Sequence, residues 1–553
     1  MAPSSAARPA GPTPLVPPAP AVDGGRRGLL TLALLGTTLR LALVWAGWCD
    51  NRVVADDAFY YFTIARHLAA GHGPTFDGLS LTNGFHPLWL LMLAPVFALT
   101  GALRACSWTG VHLALSVCAL LDLASGVLLW RLLRRLGGAR GAHWAAAVWF
   151  LSPVTVLLSL RGLESALTVT LFAVWLTAVV WAFQDGAPPA RRGVSVGLVT
   201  GLAFLARTDN GPLLGLALAL VALGAWLSAR GQGRRLLGFF VTAGVTAVLL
   251  ALPWFVWNLV TFGTPWQVSG AAKLANPQIF GHVPAALGER LRYLTAFVWV
   301  PAFFAAGESM KHRAAFTWLA WAEWLALAAL LPFLLLALGR ARSALLRPLA
   351  LGLFGYLAAH AVVYALVLRT YVVWYATVPT FVLVFLAGGV AAGELLGRLR
   401  TGWRAALGVA AAAAGVLVFA QYFQATQVKP RGEESVVRPI LTKIARQAPG
   451  TRTVGVFNAG AAGYFAPEIG PFTVVNLDGL VNNPAVVAWR AGRYLEYLGQ
   501  NVDVVIDDAD GTLSFLLGPG NRPRFDERYP LWSPGSLVRG PRLQAPVRPD
   551  PRP

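Results

Sequence analysis

The chain of 553 residues is 56% hydrophobic and 13% charged, whereas soluble domains carry about 25% charged residues. Long apolar runs recur along it, which excludes a soluble globular protein and predicts a polytopic membrane protein with helical spans. The net charge of +20 does not indicate a nucleic-acid partner, because most basic residues lie in short loops between apolar runs, as the positive-inside rule describes.

The chain divides into three predicted parts. Residues 1–27, rich in Pro, Ala and Ser, are typical of a disordered cytoplasmic segment. Residues 28–424 predict a transmembrane domain of about 11–13 helices, with long outer loops at 49–85 and 259–317. The candidate spans are 28–48, 86–100, 109–130, 143–159, 166–183, 194–206, 212–228, 236–258, 318–338, 348–368, 372–394 and 405–423.

Loop charges predict the orientation of these spans. Five basic loops are expected to be cytoplasmic, and two crossings separate each loop from the next. Their sequences are RLLRRLGGAR, ARR, ARGQGRR, GRARSALLR and GRLRTGWR. The loop 49–85 is expected outside and the basic loop 131–140 inside, so the chain must make one net crossing between residues 86 and 130. Because this stretch holds two apolar runs, the shorter run 86–100 is expected to be shallow or re-entrant. The Ala, Gly, Arg and Pro content suggests a bacterium, and hence a multi-pass protein of its plasma (inner) membrane.

Residues 430–553 predict a small extracytoplasmic α/β domain with an irregular tail. RTVGVFNAGAAGYF indicates a strand and a glycine turn, FTVVNLDGLVNN a second strand, and VDVVID a third. Between the last two, PAVVAWRAGRYLEYLG has helical periodicity. This alternation favours an α/β arrangement.

Several familiar sites are absent from the sequence. Cys49, Cys106 and Cys118 have no metal-ligand spacing. We expect free thiols, although a Cys49–Cys106 disulfide on the outer face stays open as an alternative. No Walker A loop, no GxGxxG after a strand and no HExxH occurs. An enzyme working outside would have no supply of nucleotides. It would therefore need an activated substrate that the membrane itself delivers.

The first outer loop holds the sharpest chemical signal, the stretch VVADDAFYYF. Asp56 and Asp57 begin a predicted interface helix that ends at Gly71. In a soluble protein Asp56 would cap this helix and Asp57 would complement its dipole. At a membrane surface two adjacent carboxylates are unfavourable without a partner, so we interpret the pair as functional.

Further along, TNGFHPLWLL predicts a turn at Asn83–Gly84 and a helix that Pro87 opens. His86, just before it, is a candidate substrate contact or simply an interface residue. Arg40, Asp122 and His360 lie inside predicted spans and are functional candidates by default. We expect that Arg40 and Asp122 can form a pair.

Other polar side chains are expected on the outer face. Arg161 with Glu164, and Arg207 with Asp209, could form no more than two exposed local salt bridges, each worth about 0–1 kcal/mol. Outward cations run against the positive-inside rule, however, and an anionic ligand such as phosphate would account for them. The candidate substrate-binding residues are His86, Glu164, Arg207, Asp209, Lys273, Arg369 and Tyr371.

These motifs together resemble a known superfamily. The phrases DDAFYYFTIARHL, TNGFHPLWLL, GLESAL, LARTDNG, TFGTPWQVSGAAK and FNAGAAGYF…VVNLDGLVN are similar to those of the C-type (GT-C) membrane glycosyltransferases. The likeness is to a bacterial branch related to protein mannosyltransferases and mycobacterial arabinofuranosyltransferases. It covers residues from about 28 to 510, and its motifs say little about the sugar.

The resemblance implies a GT-C fold and transfer of a hexosyl or pentosyl unit from a polyprenyl-phosphate donor on the outer face, with inversion. One loop aspartate would be the catalytic base, and we prefer Asp57 to Asp56. The acceptor would be a glycan, a lipid or a protein, and a divalent cation near the carboxylates is possible. The alternatives are a transporter or flippase of lipid-linked sugars and a non-catalytic scaffold whose outer domain binds a partner.

Overall fold

The computed structural model describes residues 25–102, 107–136, 138–228, 232–275, 343–369, 373–386, 400, 402, 433–506, 512–518, 520–533 and 536–541. The predicted spans 318–338 and 405–423 lie outside the described residues, as do the N-terminal segment 1–24 and most of the predicted outer loop 259–317.

The membrane region is helical throughout its described part. Its first eleven helices are Arg26–Trp45 (α1), Asp56–Ala69 (α2), Pro87–Ala102 (α3), Ser107–Leu136 (α4), Ala139–Leu151 (α5), Pro153–Ser159 (α6), Ser165–Phe183 (α7), Ala190–Ala206 (α8), Asn210–Ser228 (α9), Gly233–Phe262 (α10) and Val268–Ala275 (α11). Then follow Leu346–Val362 (α12) with a π-helical turn at Val363–Val367, a 3₁₀ turn at Val373–Ala376, and Thr377–Leu383 (α13).

Six of the described helices are long and apolar enough to cross a bilayer, or seven if one bent pair counts as a single span. They include α4 and α10, each 30 residues long, so both predicted spans extend several residues beyond the bounds expected for them. The helix predicted at 86–100 begins at Pro87, has 16 residues, and packs against α2, α4 and α8. At about 1.5 Å per residue it is about 24 Å long, shorter than a typical hydrocarbon core.

The span predicted at 143–159 is not one straight helix, because the chain bends by 59° between α5 and α6. Pro153 is the first residue of α6. A proline has no N–H to donate and disfavours helical geometry in the residue before it. Ser152 accordingly has extended angles, φ −64° and ψ 128°. The break leaves the carbonyl groups at the end of α5 without their usual helical partners.

Arg40 of α1 supplies those partners. Its guanidinium donates to the carbonyl oxygens of Phe150 at 2.9 Å and Trp149 at 3.3 Å and to Ser159 Oγ at 3.1 Å. Asp122 of α4 lies 2.8 Å from the same group, and both side chains are fully buried. The predicted Arg40–Asp122 pair is therefore present. It joins α1 and α4 at the point where the α5–α6 span is broken.

The C-terminal residues form an α/β unit around a four-stranded sheet in the order β2-β1-β3-β4. Strands Thr453–Val456 (β1), Thr473–Asn476 (β2) and Val504–Ile506 (β3) are parallel, and Val538–Arg539 (β4) pairs antiparallel with β3. The helices are Glu433–Gln447 (α14), Gly460–Phe465 (α15), Asn483–Arg490 (α16), Tyr494–Asn501 (α17), Thr512–Leu517 (α18) and Arg522–Arg528 (α19).

The three predicted strands are confirmed, but two details differ from the sequence interpretation. The helix predicted from residue 484 is two helices, since Gly492 has a positive φ of 69° between them. The tail predicted to be irregular contributes β4 and α19, because apolar residues such as Phe525 and Val538 are buried against the rest of the unit.

We predict that Arg40→Met destabilises the protein by about 3–5 kcal/mol, because it leaves the Asp122 carboxylate buried without its partner. Adding Asp122→Leu should recover only part of this loss, since the carbonyls of α5 stay unpaired. Thermal unfolding in detergent measures both effects. Arg234→Gln is the control, because Arg234 is exposed at the start of α10 and surface substitutions usually change stability by about 0.5 kcal/mol or less. Full recovery in the double variant would contradict the role assigned to the helix break.

Candidate active site at the membrane surface

The two adjacent aspartates at the start of α2 have different environments. Asp56 accepts hydrogen bonds from the backbone N–H groups of Gly460 at 3.0 Å and Ala461 at 2.8 Å, the first two residues of α15. The residue that caps α2 is Ala55, with no side-chain bond, so Asp56 does not cap its own helix as it would in the soluble-protein alternative. It binds the N-terminus of a helix 404 residues away instead.

Asp57 has no hydrogen bond or ion pair within 4 Å to any residue that the structure describes, and its side chain is partly exposed. Burial raises the pKa of Asp57 above its usual value, the nearby Lys273 lowers it, and Glu164 raises it. The carboxylate is therefore available to a ligand and has a raised proton affinity.

An ion cluster lies beside Asp57. Arg207, which follows α8, is 3.0 Å from Glu164 Oε1 and 2.9 Å from Asp209 Oδ1, and it donates to the Tyr364 hydroxyl at 2.8 Å. Although burial opposes its charge, Asp209 and Glu164 raise the pKa of Arg207. The sequence suggested separate local salt bridges, whereas Arg207 joins two loops in one buried cluster with two carboxylates.

Aromatic rings pack against this cluster. The guanidinium of Arg207 lies 4.1 Å from the ring centroid of Tyr375, which in turn lies 4.4 Å from that of Tyr364. The stack continues to His360, whose ring centroid is 4.6 Å from that of Tyr364. His360 was expected to be functional from its place inside a span. It packs against Tyr364, which in turn contacts Arg207.

Lys273 of α11 contributes a second cation. Its Nζ donates to the Tyr375 hydroxyl at 3.2 Å, and within the described part of the chain no carboxylate lies within 4 Å of it. Burial disfavours its charge, but Tyr375 and Asp57 raise the pKa of Lys273 above its usual value. An ammonium group and the Asp57 carboxylate therefore influence each other without direct contact, which leaves room between them.

His86 lies at the edge of the same cluster, immediately before α3. Its Nε2 is 3.8 Å from Glu164 Oε1, its Nδ1 is 3.3 Å from Gln267 Nε2, and its backbone N–H donates to the Tyr61 hydroxyl at 3.2 Å. Burial and the charge of Arg207 lower the pKa of His86 to about 3. The imidazole is therefore neutral here, and it can serve as a hydrogen-bonding group but not as a cation.

Asn83 is a structural junction that the sequence interpretation missed. Its side-chain amide donates to Asn258 Oδ1 at 3.1 Å, and its side-chain oxygen accepts from the Val268 N–H at 3.0 Å and from Asn483 Nδ2 at 3.0 Å. One side chain thus joins the first outer loop to α10, α11 and α16. The only signal was the polar pair Asn83–Gly84 within an apolar stretch.

The turn predicted at Asn83–Gly84 is wrong, because the segment runs without a turn into α3. Gly84 is required for a different reason. A Cβ built on it would lie 2.0 Å from the carbonyl oxygen of Leu480, so the backbone of the C-terminal unit contacts the loop directly. Only glycine allows this approach.

The motifs FNAG and VVNLDG lie at the carboxyl ends of β1 and β2 and face α2. The Tyr60 hydroxyl donates to Asp478 Oδ2 at 3.2 Å and accepts from the Ala459 N–H at 2.9 Å and Asn476 Nδ2 at 3.1 Å. Parallel α/β sheets commonly bind ligands at this edge. Here the first turn of α2 occupies it, and Tyr60, Asp478 and Asn476 were not among the predicted site residues.

The last two predicted site residues follow α12. Arg369 follows α12 and its π turn and has a positive φ of 52°, while Tyr371 lies outside the described residues. Cys49 and Cys118 are buried free thiols. Cys106 falls in a part of the chain that the structure does not describe, so its alternative pairing stays a prediction.

A cavity of about 1430 Å³ opens beside the cluster. Asp209 lies at its inner side, the aromatic side chains Trp254 and Phe255 form an apolar wall, and Arg490 and Arg493 of the C-terminal unit line its opposite edge. The cavity therefore connects membrane helices to the C-terminal unit and combines an apolar surface with cations.

Comparisons with known proteins identify the fold. No protein-family model matches the chain, and no curated protein matches it either. Among solved structures, ArnT from Cupriavidus metallidurans in the apo state is similar with a TM-score of 0.56 and 16% identity, over 89% of this chain and 95% of that one. Its complex with undecaprenyl phosphate gives 0.54 and 18%, over 94% and 98%.

An oligosaccharyltransferase from Archaeoglobus fulgidus, in complex with Zn and sulfate, is also similar. Its TM-score is 0.56 with 17% identity, over 94% of this chain and 74% of that one. The chain therefore has the fold of the GT-C membrane glycosyltransferases, with several apolar spans and a small C-terminal sheet. The resemblance inferred from the motifs is confirmed for the fold.

We predict that Gly460→Ala loosens the contact between α15 and α2, because the added Cβ would lie 2.1 Å from the Asp56 carbonyl oxygen. The expected loss is about 1–3 kcal/mol. Hydrogen exchange should become faster in the amides of residues 458–482 and stay unchanged in α4. The control is Gly244→Ala in α10, where the added Cβ meets nothing within 4 Å. Unchanged exchange around Gly460 would contradict this contact.

Proposed function

We propose that the protein transfers a hexosyl or pentosyl unit from a polyprenyl-phosphate donor to an acceptor hydroxyl, with inversion, on the extracytoplasmic face of a bacterial plasma membrane. One observation carries the proposal. Asp57, a carboxylate without a partner among the described residues, and Lys273, a cation without a carboxylate within 4 Å, lie close enough to influence each other and do not touch. In an inverting displacement the acceptor attacks the reacting carbon from the side opposite the leaving phosphate, so a base on one side and a cation on the other assist the reaction.

Asp57 is the catalytic base in this proposal. The acceptor hydroxyl gives its proton to the Asp57 carboxylate as its oxygen forms a bond to the anomeric carbon of the sugar. The bond from that carbon to the phosphate oxygen breaks, and the electron pair leaves with the polyprenyl phosphate. A positioned carboxylate within hydrogen-bond reach supplies about 10²–10⁴ in rate.

Asp56 has a different role in this proposal. Its two oxygens are already bound by the N–H groups of Gly460 and Ala461, so it is a weaker base and a worse acceptor for a new hydrogen bond. We assign it the role of positioning residue, since it fixes the first turn of α2 against the C-terminal unit and thereby orients Asp57.

Lys273 is assigned to the departing phosphate. Arg207 is already paired with Glu164 and Asp209, so its charge is balanced, whereas the Lys273 ammonium is bound by a tyrosine hydroxyl and by no carboxylate among the described residues. A fixed cation near the charge that develops on the leaving oxygen stabilises the transition state. The ion cluster around Arg207 and the neutral His86 are assigned to the sugar hydroxyls, and Arg369 and Tyr371 stay as untested candidates for the same ligand.

The cavity beside Asp209 suits a substrate with an apolar chain and an anionic group. Its volume of about 1430 Å³ exceeds that of usual small-molecule pockets, and its wall is aromatic on the membrane side. The similarity to ArnT bound to undecaprenyl phosphate supports a polyprenyl-phosphate donor. The acceptor class, whether glycan, lipid or protein, is left to experiment.

The divalent cation that the resemblance implies as possible stays a proposal, and one similar structure is a complex with Zn. No three side chains of His, Cys, Asp or Glu converge in the part of the chain that the structure describes. The carboxylates around Asp57 are bound by Arg207 or by backbone N–H groups instead. The steps above are therefore assigned to side chains.

The arrangement favours an enzyme over the alternative of a transporter or flippase. A transporter holds its substrate near the middle of the bilayer. Here Asp57, Glu164, Arg207 and Lys273 lie at helix ends or in connecting segments, and the buried pair of Arg40 with Asp122 is fully engaged with its neighbours. Flux of a lipid-linked sugar across liposomes without any glycosidic product would support the transporter instead.

We predict that Asp57→Asn lowers the rate of sugar transfer by about 10²–10⁴ and leaves donor binding intact, because only the base is lost. Asp56→Asn is the matched comparison. The Asp56→Asn variant keeps one acceptor oxygen for the α15 amides, so we expect a smaller loss of rate. This loss should accompany faster amide hydrogen exchange in residues 458–482. Reconstituted transfer from a polyprenyl-phosphate sugar measures both. If Asp56→Asn loses more rate than Asp57→Asn with exchange unchanged, Asp56 is the base.

We predict that Lys273→Gln weakens binding of polyprenyl phosphate about tenfold or more, since a charge-assisted contact is worth about 1.5–3 kcal/mol. It should also move the acid limb of the pH–rate profile upward. The base is active only when ionised, so activity falls as the pH drops through the pKa of Asp57, and Lys273 lowers that pKa.

Two variants serve as controls for this prediction. Lys443→Gln, in α14, should change neither lipid binding nor the pH profile. Glu164→Gln should move the acid limb the other way, because Glu164 raises the pKa of Asp57. Shifts of the same sign in Lys273→Gln and Glu164→Gln would show that Asp57 does not control the profile.

A further inference from the structure

A second concentration of charge lies at the far end of α4 from the candidate active site. The first residue of α4, Ser107, accepts a hydrogen bond at its carbonyl from the Tyr464 hydroxyl at 2.7 Å, on the side of the C-terminal unit. Its last turns carry Arg131, Arg134 and Arg135. At about 1.5 Å per residue the two ends are about 40 Å apart, so the arginines lie at the opposite membrane surface.

Two apolar grooves flank this end of α4. The first, of about 770 Å³, runs between α1 and α4 and is lined by Arg26, the three arginines of α4 and apolar side chains from Leu29 to Thr37. From Arg26 to Thr37 it extends about 16 Å, which is half of a hydrocarbon core of about 30 Å. The second, of about 510 Å³, lies between α4, α7 and α8. Arg131 and Arg135 line both grooves.

The two arginines with exposed side chains, Arg26 and Arg131, make no hydrogen bond or ion pair to any described residue. Arg135 donates through Nη2 to Gln184 Oε1, but its Nε is buried without a hydrogen-bond partner in the described part of the chain. The guanidinium of Arg134 lies 4.8 Å from the ring centroid of Trp130. No Asp or Glu lines either groove, so the site has a surplus of positive charge at the mouth of apolar channels.

We propose that this site binds an anionic glycerophospholipid with two phosphates and four acyl chains. The phosphates would lie on Arg131 and Arg135, which both grooves share, and the acyl chains would enter the grooves on either side of α4. Basic pockets between helix ends are suited to such headgroups, and arginine binds phosphate through paired N–H groups. The positive-inside rule explains arginines at this surface, but it does not explain their convergence on two grooves.

Lipid titration of the purified full-length protein in detergent, followed by native mass spectrometry, tests the proposal. Cardiolipin should bind at least tenfold more tightly than phosphatidylethanolamine and more tightly than phosphatidylglycerol, which has one phosphate. Arg131→Gln with Arg135→Gln should reduce cardiolipin binding about tenfold. The matched control is Arg234→Gln with Arg235→Gln, two exposed arginines at the start of α10 that line neither groove.

A further variant covers the case in which the arginine substitutions impair folding. Val127→Trp fills the first groove without changing charge and should also weaken cardiolipin binding. Equal binding of phosphatidylethanolamine would overturn the proposal in favour of ordinary surrounding lipid. Equal binding of phosphatidylglycerol would overturn the assignment of two phosphates. Tighter cardiolipin binding after deletion of residues 1–22 would assign the grooves to the chain's own N-terminal segment.

Discussion

The contact between the Asp56 carboxylate and the first N–H groups of α15 organises the candidate site. It places a short helix of the C-terminal unit against the first turn of α2, and an aromatic cluster seals the contact. Within that cluster the Phe59 ring centroid is 5.5 Å from those of both Tyr464 and Phe465. Because the carboxylate occupies the edge at which α/β sheets commonly bind anions, the membrane region takes the place of a ligand. The neighbouring Asp57 is then left free to act.

The different environments of Asp56 and Asp57 follow from helix geometry. Successive residues of a helix point about 100° apart, so two aspartates in one turn cannot share one environment. Asp56 faces the C-terminal unit, whereas Asp57 lies near the charges of Lys273 in α11 and of Glu164 just before α7. The same logic explains Arg207 and Lys273. The charge of Arg207 is balanced by two carboxylates, whereas Lys273 has no carboxylate within 4 Å among the described residues and donates to a tyrosine hydroxyl.

Local patterns in the sequence predicted much of the fold. Apolar runs predicted most spans, and the interval from Asp56 to Gly71 predicted α2, because these signals depend on near neighbours. The cluster of Glu164, Arg207 and Asp209 was predicted as residues but not as one assembly. The roles of Asn83 and Gly84 were missed, since their partners lie hundreds of residues away and no local signal encodes them. Pro153 was itself a local signal of the helix break. It was overlooked because it lies within an apolar run.

The Arg40 contacts have a consequence for how the chain enters the membrane. A lone arginine within an inserted helix costs about 2.5–3.5 kcal/mol, and the Phe150 carbonyl that binds it lies 110 residues later. At about 5–20 residues per second of synthesis, α1 waits several seconds for its partners. The first helix therefore gains the full stability of these contacts only when α4 and α5 have been made and have joined it.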